Sequence, residues 1–209
     1  MNECLLTLSS NKNMSLQLII GPMFAGKSSK ILSLKNRMEA IGKSVLVIKH
    51  SIDVRYLSVN DAAVEVVNHD KYRCSAFACS SLMSVLGSES FLSADLIIID
   101  EGQFFDDLMT FVTDAVEKYS KDLVVVGLDG DAHRKPFGQM MEIVPLADDV
   151  TFLKALCQIC ADGTVARFTA AKSKLVLELT KDGVPNVGDD TSYLPVCRKH
   201  WLSVSKGLN

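Results

Sequence analysis

The chain has 209 residues, 48% of them hydrophobic and 22% charged, with 12 glycines and 5 prolines, a composition that excludes disordered, collagenous and low-complexity classes. At roughly 150 residues per domain, this is one large domain or one domain with a small appendage. Lys and Arg number 22 against 25 Asp and Glu, a formal charge of −3, which excludes a general basic surface for a nucleic-acid polymer.

No apolar run approaches the roughly 20 residues of a membrane helix. Met1 to Asn13 lacks the basic region and apolar stretch of a signal peptide, so the expectation is a cytoplasmic protein with a flexible segment over residues 1–14. Leu16 to Ile20 is an apolar, strand-sized run ending at Gly21-Pro22. From Ser28 to Ile41 the apolar residues Ile31, Leu34, Met38 and Ile41 keep helical spacing, with Gly42 as the stop. Val45 to Ile48 predicts a second buried strand, Val64 to Val67 a weaker one, and Ser80 to Leu86 a short helix. Leu96 to Ile99 is a continuous apolar strand ending on Asp100. Leu108, Val112, Ala115, Val116 and Tyr119 then predict one helix, and Leu123 to Val126 another strand. Apolar strands alternating with helices predict an α/β fold, a mostly parallel sheet with helices on both faces. Beyond Asp149 the character changes to paired cysteines, a Gly183-Val184-Pro185-Asn186 turn region and short strands such as Leu175 to Leu179. The expected organisation is a main domain over 15–149, a small second unit over 150–202 and a C-terminal tail over 203–209.

Gly21-Pro22-Met23-Phe24-Ala25-Gly26-Lys27-Ser28 fits G-x-x-x-x-G-K-[ST] at every fixed position. The string follows a strand and opens a helix, so backbone N–H groups and the helix N-terminus can surround phosphate oxygens. Lys27 then reaches the β- and γ-phosphates and Ser28 ligates Mg²⁺, which makes the sheet one of the P-loop NTPase type. A plain glycine-rich turn with a surface lysine would not require those flanking elements.

Asp100 closes a buried strand, where packing alone does not explain a carboxylate. It suits Mg²⁺ through water at the carboxyl end of the sheet. Glu101 is the nearest candidate to take the proton of an attacking hydroxyl. Asp53 and Arg55, in Ile52-Asp53-Val54-Arg55-Tyr56, read either as a surface ion pair or as a carboxylate and a cation steadying Mg²⁺ and transferring charge.

Six cysteines are present, and three fall in the last quarter. Cys157-Gln158-Ile159-Cys160 and Cys197-Arg198-Lys199-His200 are two pairs of ligands with equal spacing. Four such donors close a tetrahedral Zn²⁺ site, structural because no position remains for water. The competing reading, a redox dithiol beside an unrelated Cys and His, lacks a thioredoxin-like context. Closure around zinc would let a small unit with little core hold a loop over a substrate.

Taken together, Gly21 to Ser28, Asp53-Val54-Arg55-Tyr56, Asp100-Glu101-Gly102-Gln103-Phe104-Phe105, Leu128-Asp129-Gly130, Arg134-Lys135-Pro136-Phe137-Gly138 and the cysteine–histidine pairs resemble the zinc-containing thymidine kinases of cellular and large-virus origin. The resemblance runs from about Ser15 to His200. It implies γ-phosphoryl transfer from ATP to the 5′-hydroxyl of thymidine, with Mg²⁺ and a structural Zn²⁺ as cofactors. It implies Glu101 as base and Arg55 at the transferring phosphate. Asp53, Asp100, Gln103 and Gly21 to Ser28 would meet ATP and Mg²⁺. Met23, Phe104, Leu128, Phe137, Thr169, Val187, Gly188 and Tyr193 would meet thymidine under a lasso loop between the knuckles. A homotetramer and inhibition by thymidine triphosphate are further implications. Three positions depart from the family pattern: Ala132 stands where an aromatic is common, Ala171 stands two positions after Thr169 where an arginine is usual and is followed by Lys172, and Gly188-Asp189-Asp190 replaces a glycine-rich stretch. They bear on substrate range rather than on phosphate chemistry.

Other classes fit less well. Asn68-His69-Asp70-Lys71 is not the N-K-x-D string of a GTPase. A helicase-type ATPase needs a second motor domain and basic strand contacts. A zinc-lid nucleoside monophosphate kinase must neutralise an acceptor phosphate with several arginines, and the chain has six, few of them flanking the knuckles. An ATP-switched zinc-binding module without chemistry remains distinguishable only by assay.

Overall fold

The computed structural model describes residues 14–52, 64–67, 73–173, 176 and 191–208. Strands β1 (Ser15–Ile20), β2 (Val45–His50), β3 (Val64–Val67), β4 (Arg73–Cys79), β5 (Leu96–Asp100), β6 (Asp122–Gly127) and β7 (Asp149–Phe152) form one seven-stranded sheet in the order β3-β4-β2-β5-β6-β1-β7. All neighbours run parallel except β3 and β4, which are antiparallel. The mostly parallel α/β sheet expected from the apolar runs is therefore present. The expected domain edge at 149/150 falls inside β7, whose Gln17↔Asp149 to Ile20↔Phe152 register makes it a strand of the main sheet.

Side chains alternate across a strand, so each central strand feeds both faces. Leu16, Leu18, Ile20, Ile97, Ile99, Leu123 and Val125 point to one layer, where Phe91 of α2 (Glu89–Ser93) and Leu108, Phe111 and Val112 of α3 (Leu108–Thr113) close over them. Ile19, Ile98, Val124 and Val126 point to the other, against Ile31 and Leu32 of α1 (Lys27–Glu39). Helix α1 stops as anticipated: Gly42 takes φ +74°, and its N–H and that of Lys43 bond back to Glu39 and Met38.

Two local expectations change. The helix predicted to run from Leu108 through Tyr119 is α-helical only to Thr113 and continues as a π-turn over Asp114–Lys118, with Tyr119 N–H bonding to Asp114 O at 3.1 Å. The extra residue keeps Ala115 buried while turning Tyr119 outward, its ring meeting Phe91 edge-on at 5.2 Å. Within Ser80 to Leu86, the helical piece is a single 3₁₀ turn, Leu82–Ser84, fastened by the Asp107 carboxylate accepting from Ser81 Oγ and Met83 N–H.

After the sheet come two antiparallel pairs, β8 (Ala155–Leu156) with β9 (Val165–Ala166) and β10 (Phe168–Ala171) with β11 (Tyr193–Val196). The C-terminal helix Arg198–Leu208 follows, running through the segment expected to be a tail. The strand expected over Leu175 to Leu179 lies outside the described residues apart from Val176. Among the described residues, no helix is long and apolar enough to cross a membrane.

Candidate active site

The loop Gly21–Ser28 leaves the end of β1 beside the chain that follows β7. A Cβ on Gly21 would sit 2.6 Å from the Leu153 carbonyl oxygen, so only glycine passes between β1 and the chain beyond β7. Gly26 at φ +82° turns the backbone into α1, whose first residue is Lys27. The Lys27 ammonium donates to the carbonyls of Gly21 at 3.1 Å and Pro22 at 2.9 Å, so the loop wraps around its own cation. Ser28 stands one residue further along the helix. This is a cationic, amide-rich helix start of the kind that takes phosphate. Met23 N–H is engaged elsewhere in the site, donating to Thr169 Oγ1 of β10 at 3.1 Å.

Two strands away, across β6, β5 ends on buried Asp100. At the ~4.8 Å spacing of strands, that is roughly 10 Å, room for polyphosphate and an acceptor hydroxyl. Asp100 Oδ1 accepts the N–H of Glu101 at 3.0 Å, and Glu101 takes a left-handed φ of +54°. Its Oε2 accepts from the amide of Gln103, whose Oε1 accepts from Leu128 N–H at 3.0 Å. Gln103 is only 3% exposed. The resemblance assigned Gln103 to ATP and Mg²⁺; in the structure its amide bonds Glu101 at one end and the chain leaving β6 at the other. A Cβ on Gly138 would approach the Gln103 carbonyl oxygen to 2.2 Å, so the glycine in Arg134-Lys135-Pro136-Phe137-Gly138 lets that loop close over Gln103.

The residues assigned to the substrate fall in two groups. Phe104 and Phe137 meet edge-to-face, with ring centroids 5.6 Å apart, and Leu128 is held through its N–H by Gln103, the residue before Phe104. On the other side Tyr193 is packed with Ala132, Ala171 and Met23, and Thr169 is buried beneath the phosphate loop. A residue missed in the sequence reading, His50 at the end of β2, lies against Phe104 and Phe105, at 6.1 and 4.7 Å between centroids, and accepts Ile52 N–H on Nδ1. Burial lowers its pKa, and the Ser80 backbone contact and the Asp106 and Asp107 carboxylates oppose that only partly. No motif flags it, because its neighbours come from a different strand end.

Cys157, Cys160, Cys197 and His200 converge so that all four donor atoms lie within 4.8 Å of one another. His200 Nδ1 is 3.4, 3.2 and 3.5 Å from the three sulfurs in chain order, and Cys160 and Cys197 sulfurs are 3.9 Å apart. The edges of a tetrahedron with metal–sulfur bonds of ~2.3 Å are roughly 3.8 Å, so the donor set fits a four-coordinate ion. Burial alone would push the Cys157 thiol up, but the N–H groups of Cys160 and Cys197 and the His200 ring bring it down to about 6. Cys160 is pushed up to about 11, by burial first and by the neighbouring cysteines. A metal ion bound there would displace the protons that the donors still carry.

The family model described as thymidine kinase matches residues 14–201. The chain belongs to the thymidine kinase family. It is 40% identical over 191 residues to "Thymidine kinase" of Oryza sativa subsp. japonica, covering 90% of this chain and 66% of the rice protein. It is 37% identical over 192 residues to "Thymidine kinase a" of Arabidopsis thaliana, with 90% and 75% covered. "Thymidine kinase, cytosolic" of Homo sapiens is 34% identical over 192 residues, with 92% and 75% covered. Among the residues that the thymidine kinase resemblance singled out, Asp53, Arg55, Val187 and Gly188 lie outside the described residues.

Proposed function

We propose that this chain is a thymidine kinase that transfers the γ-phosphoryl group of ATP to the 5′-hydroxyl of thymidine, giving thymidine monophosphate and ADP. The observation that carries the reading is the double duty of Gln103: one buried amide holds Glu101 at the strand end and Leu128 at the base wall. The group that accepts a proton and the surface that accepts a nucleobase are thereby kept in fixed relation.

In this mechanism Lys27 and the amides of Gly21 to Ser28 gather the β- and γ-phosphates, with the N-terminus of α1 behind them. Mg²⁺, which Ser28 and Asp100 are suited to hold and Asp53 to steady, supplies charge neutralisation on the phosphate oxygens. Glu101 takes the 5′-hydroxyl proton as that oxygen forms its bond to the γ-phosphorus and the bond to the β-phosphate oxygen breaks. Arg55 meets the charge on the transferring group. Met23, Phe104, Leu128, Phe137 and Tyr193 give flat apolar walls for thymine, while Thr169, Val187 and Gly188 serve its polar edge. Zn²⁺ on Cys157, Cys160, Cys197 and His200 is structural, since four protein donors leave no open position. The family resemblance further supports a cytoplasmic homotetramer inhibited by thymidine triphosphate.

A nucleoside monophosphate kinase would need arginines turned to an acceptor phosphate. Arg134 and Arg198 lie instead on aromatic faces, and Arg167 pairs with Asp129 at 2.9 Å. Incubation with Mg·ATP and thymidine, deoxyuridine, deoxycytidine or thymidylate tests the proposal. Thymidine and, more weakly, deoxyuridine should give monophosphates. A diphosphate from thymidylate alone would make it a monophosphate kinase, and no product from any acceptor would leave a nucleotide-switched binding module.

A further inference from the structure

Loop 128–138 carries Leu128, Ala132 and Phe137, three side chains of the proposed base pocket, and it is fastened at its root and at its turn. Its root is held by Gln103 through Leu128 N–H. Its turn is preformed: Asp131 Oδ1 accepts the N–H groups of His133 and Lys135 at 2.8 Å each, Arg134 N–H bonds to Asp131 O, and Gly130 bridges Pro136. That turn puts Arg134 in a left-handed conformation, φ +62°, which side chains other than glycine seldom adopt. The guanidinium then lies 3.7 Å from the ring centroid of Trp201 and 5.5 Å from that of Phe168, while Arg198 lies 4.8 Å from Phe168. Trp201 also donates its indole N–H to the Ala132 carbonyl at 3.1 Å. It is the single tryptophan of the chain and the residue directly after His200. Nothing in the phosphoryl-transfer scheme uses either side chain.

We infer that Arg134 and Trp201 are positioning residues for the nucleoside site. The guanidinium–indole stack and the indole–carbonyl hydrogen bond hold Ala132 and Phe137 at a set distance from Met23, Thr169 and Tyr193, so the helix that carries His200 fixes the width of the base pocket. The inference rests on the thymidine reading for its substrate, whereas the clamp itself is independent of it. A guanidinium stacked on indole and a hydrogen bond to a partly buried carbonyl are each strong enough to order a short loop. Both act on the loop's position rather than on the reacting atoms.

The test uses the full metal-loaded chain with Trp201→Phe, which keeps a ring but loses the N–H, and Arg134→Gln, which loses the stacked cation. Each should raise the KM for thymidine about tenfold while kcat and the KM for ATP stay within about twofold. Arg134→Lys, a cation without the planar fork, should recover part of the loss. Acrylamide quenching of Trp201 emission should rise in Arg134→Gln without any substrate present. Unchanged thymidine KM in both variants, with bound metal retained, overturns the inference, as does a matching fall in kcat. Should Trp201→Phe lose its metal, Arg134→Gln decides alone, because it lies outside the knuckle unit. If the wild-type chain neither binds nor phosphorylates thymidine, the function proposal and the substrate half of this inference both fall. The quenching comparison then still decides the clamp, a rise upholding it and equality overturning it.

Discussion

Glu101 occupies a backbone region that costs a non-glycine residue of order 1 kcal/mol, and it does so between a buried aspartate and a buried glutamine. Such strain persists only where neighbours over-determine it, here Asp100 through the Glu101 N–H and Gln103 through the carboxylate. An amide in that place keeps the shape but has no basic oxygen. Glu101→Gln should therefore lower kcat by about 10² or more with ATP affinity within about twofold; steady-state kinetics beside calorimetric ATP binding measure both, and near-normal turnover would remove Glu101 from the base role. The acidic pair and the phosphate loop are readable in the sequence because adjacency and fixed spacing encode them. The part played by Gln103 is not, because its partner Leu128 lies 25 residues away and meets it only when β5 and β6 pair. A second residue-scale prediction concerns Cys79, whose thiol is pushed up to about 11 by burial and then by the Asp107 carboxylate. At pH 8 its thiolate fraction should be about 100-fold below that of an ordinary thiol, so alkylation mapped by mass spectrometry should find Cys79 slow. Asp107→Asn should speed it, and labelling of Cys79 at the rate of a free cysteine would contradict the shift.

Among the elements, those with strong local patterns were legible: β1, α1, β2, β5 and β6 lie where apolar runs and helical spacing put them. The π-turn after α3 was not, since the same apolar residues satisfy a continuous α-helix until the Phe91 ring and the β6 strand fix where Ala115 and Tyr119 must go. Nor was β7, whose two ends are exposed and whose place is set by pairing with β1. Helix α3 is short, so its hold on the sheet depends on few side chains. Phe111 is fully buried against Phe91 at 5.9 Å between centroids. Phe111→Ala should lower unfolding free energy by about 3–5 kcal/mol, whereas exposed Thr110→Ala on the same turn should change it by less than about 0.5 kcal/mol. Denaturant titration of the two variants checks this, and equal midpoints would mean that α3 is not a buttress of that face.

At the scale of the whole molecule, the two parts are stabilised by different means. The sheet buries isoleucine, leucine, valine and phenylalanine on both faces, whereas the buried core of the knuckle unit is Ala155, Cys157, Ala166, Ala170 and Val196. Side chains that small remove little apolar area, and short two-stranded pairs do not stand alone in water. A tetrahedral metal ion on the four donors, worth roughly 10–16 kcal/mol of apparent binding free energy in small zinc domains, would be a local term large enough to hold β8 to β11 and the C-terminal helix in register. Since the proposed base pocket takes Thr169 and Tyr193 from that unit while the phosphate loop belongs to the sheet, removing the metal should separate the two binding functions. A high-affinity chelator at neutral pH should release about one zinc per chain, abolish thymidine binding and increase the exposure of Trp201. ATP binding and most of the far-ultraviolet signal should remain. Calorimetry with each ligand before and after chelation reads the split. If thymidine affinity survives complete metal loss, the sheet alone builds the base pocket and the knuckles serve another purpose; if ATP affinity collapses with it, the Met23–Thr169 hydrogen bond and the packing of Phe24 and Ala25 against the knuckle core couple the phosphate loop to the metal unit.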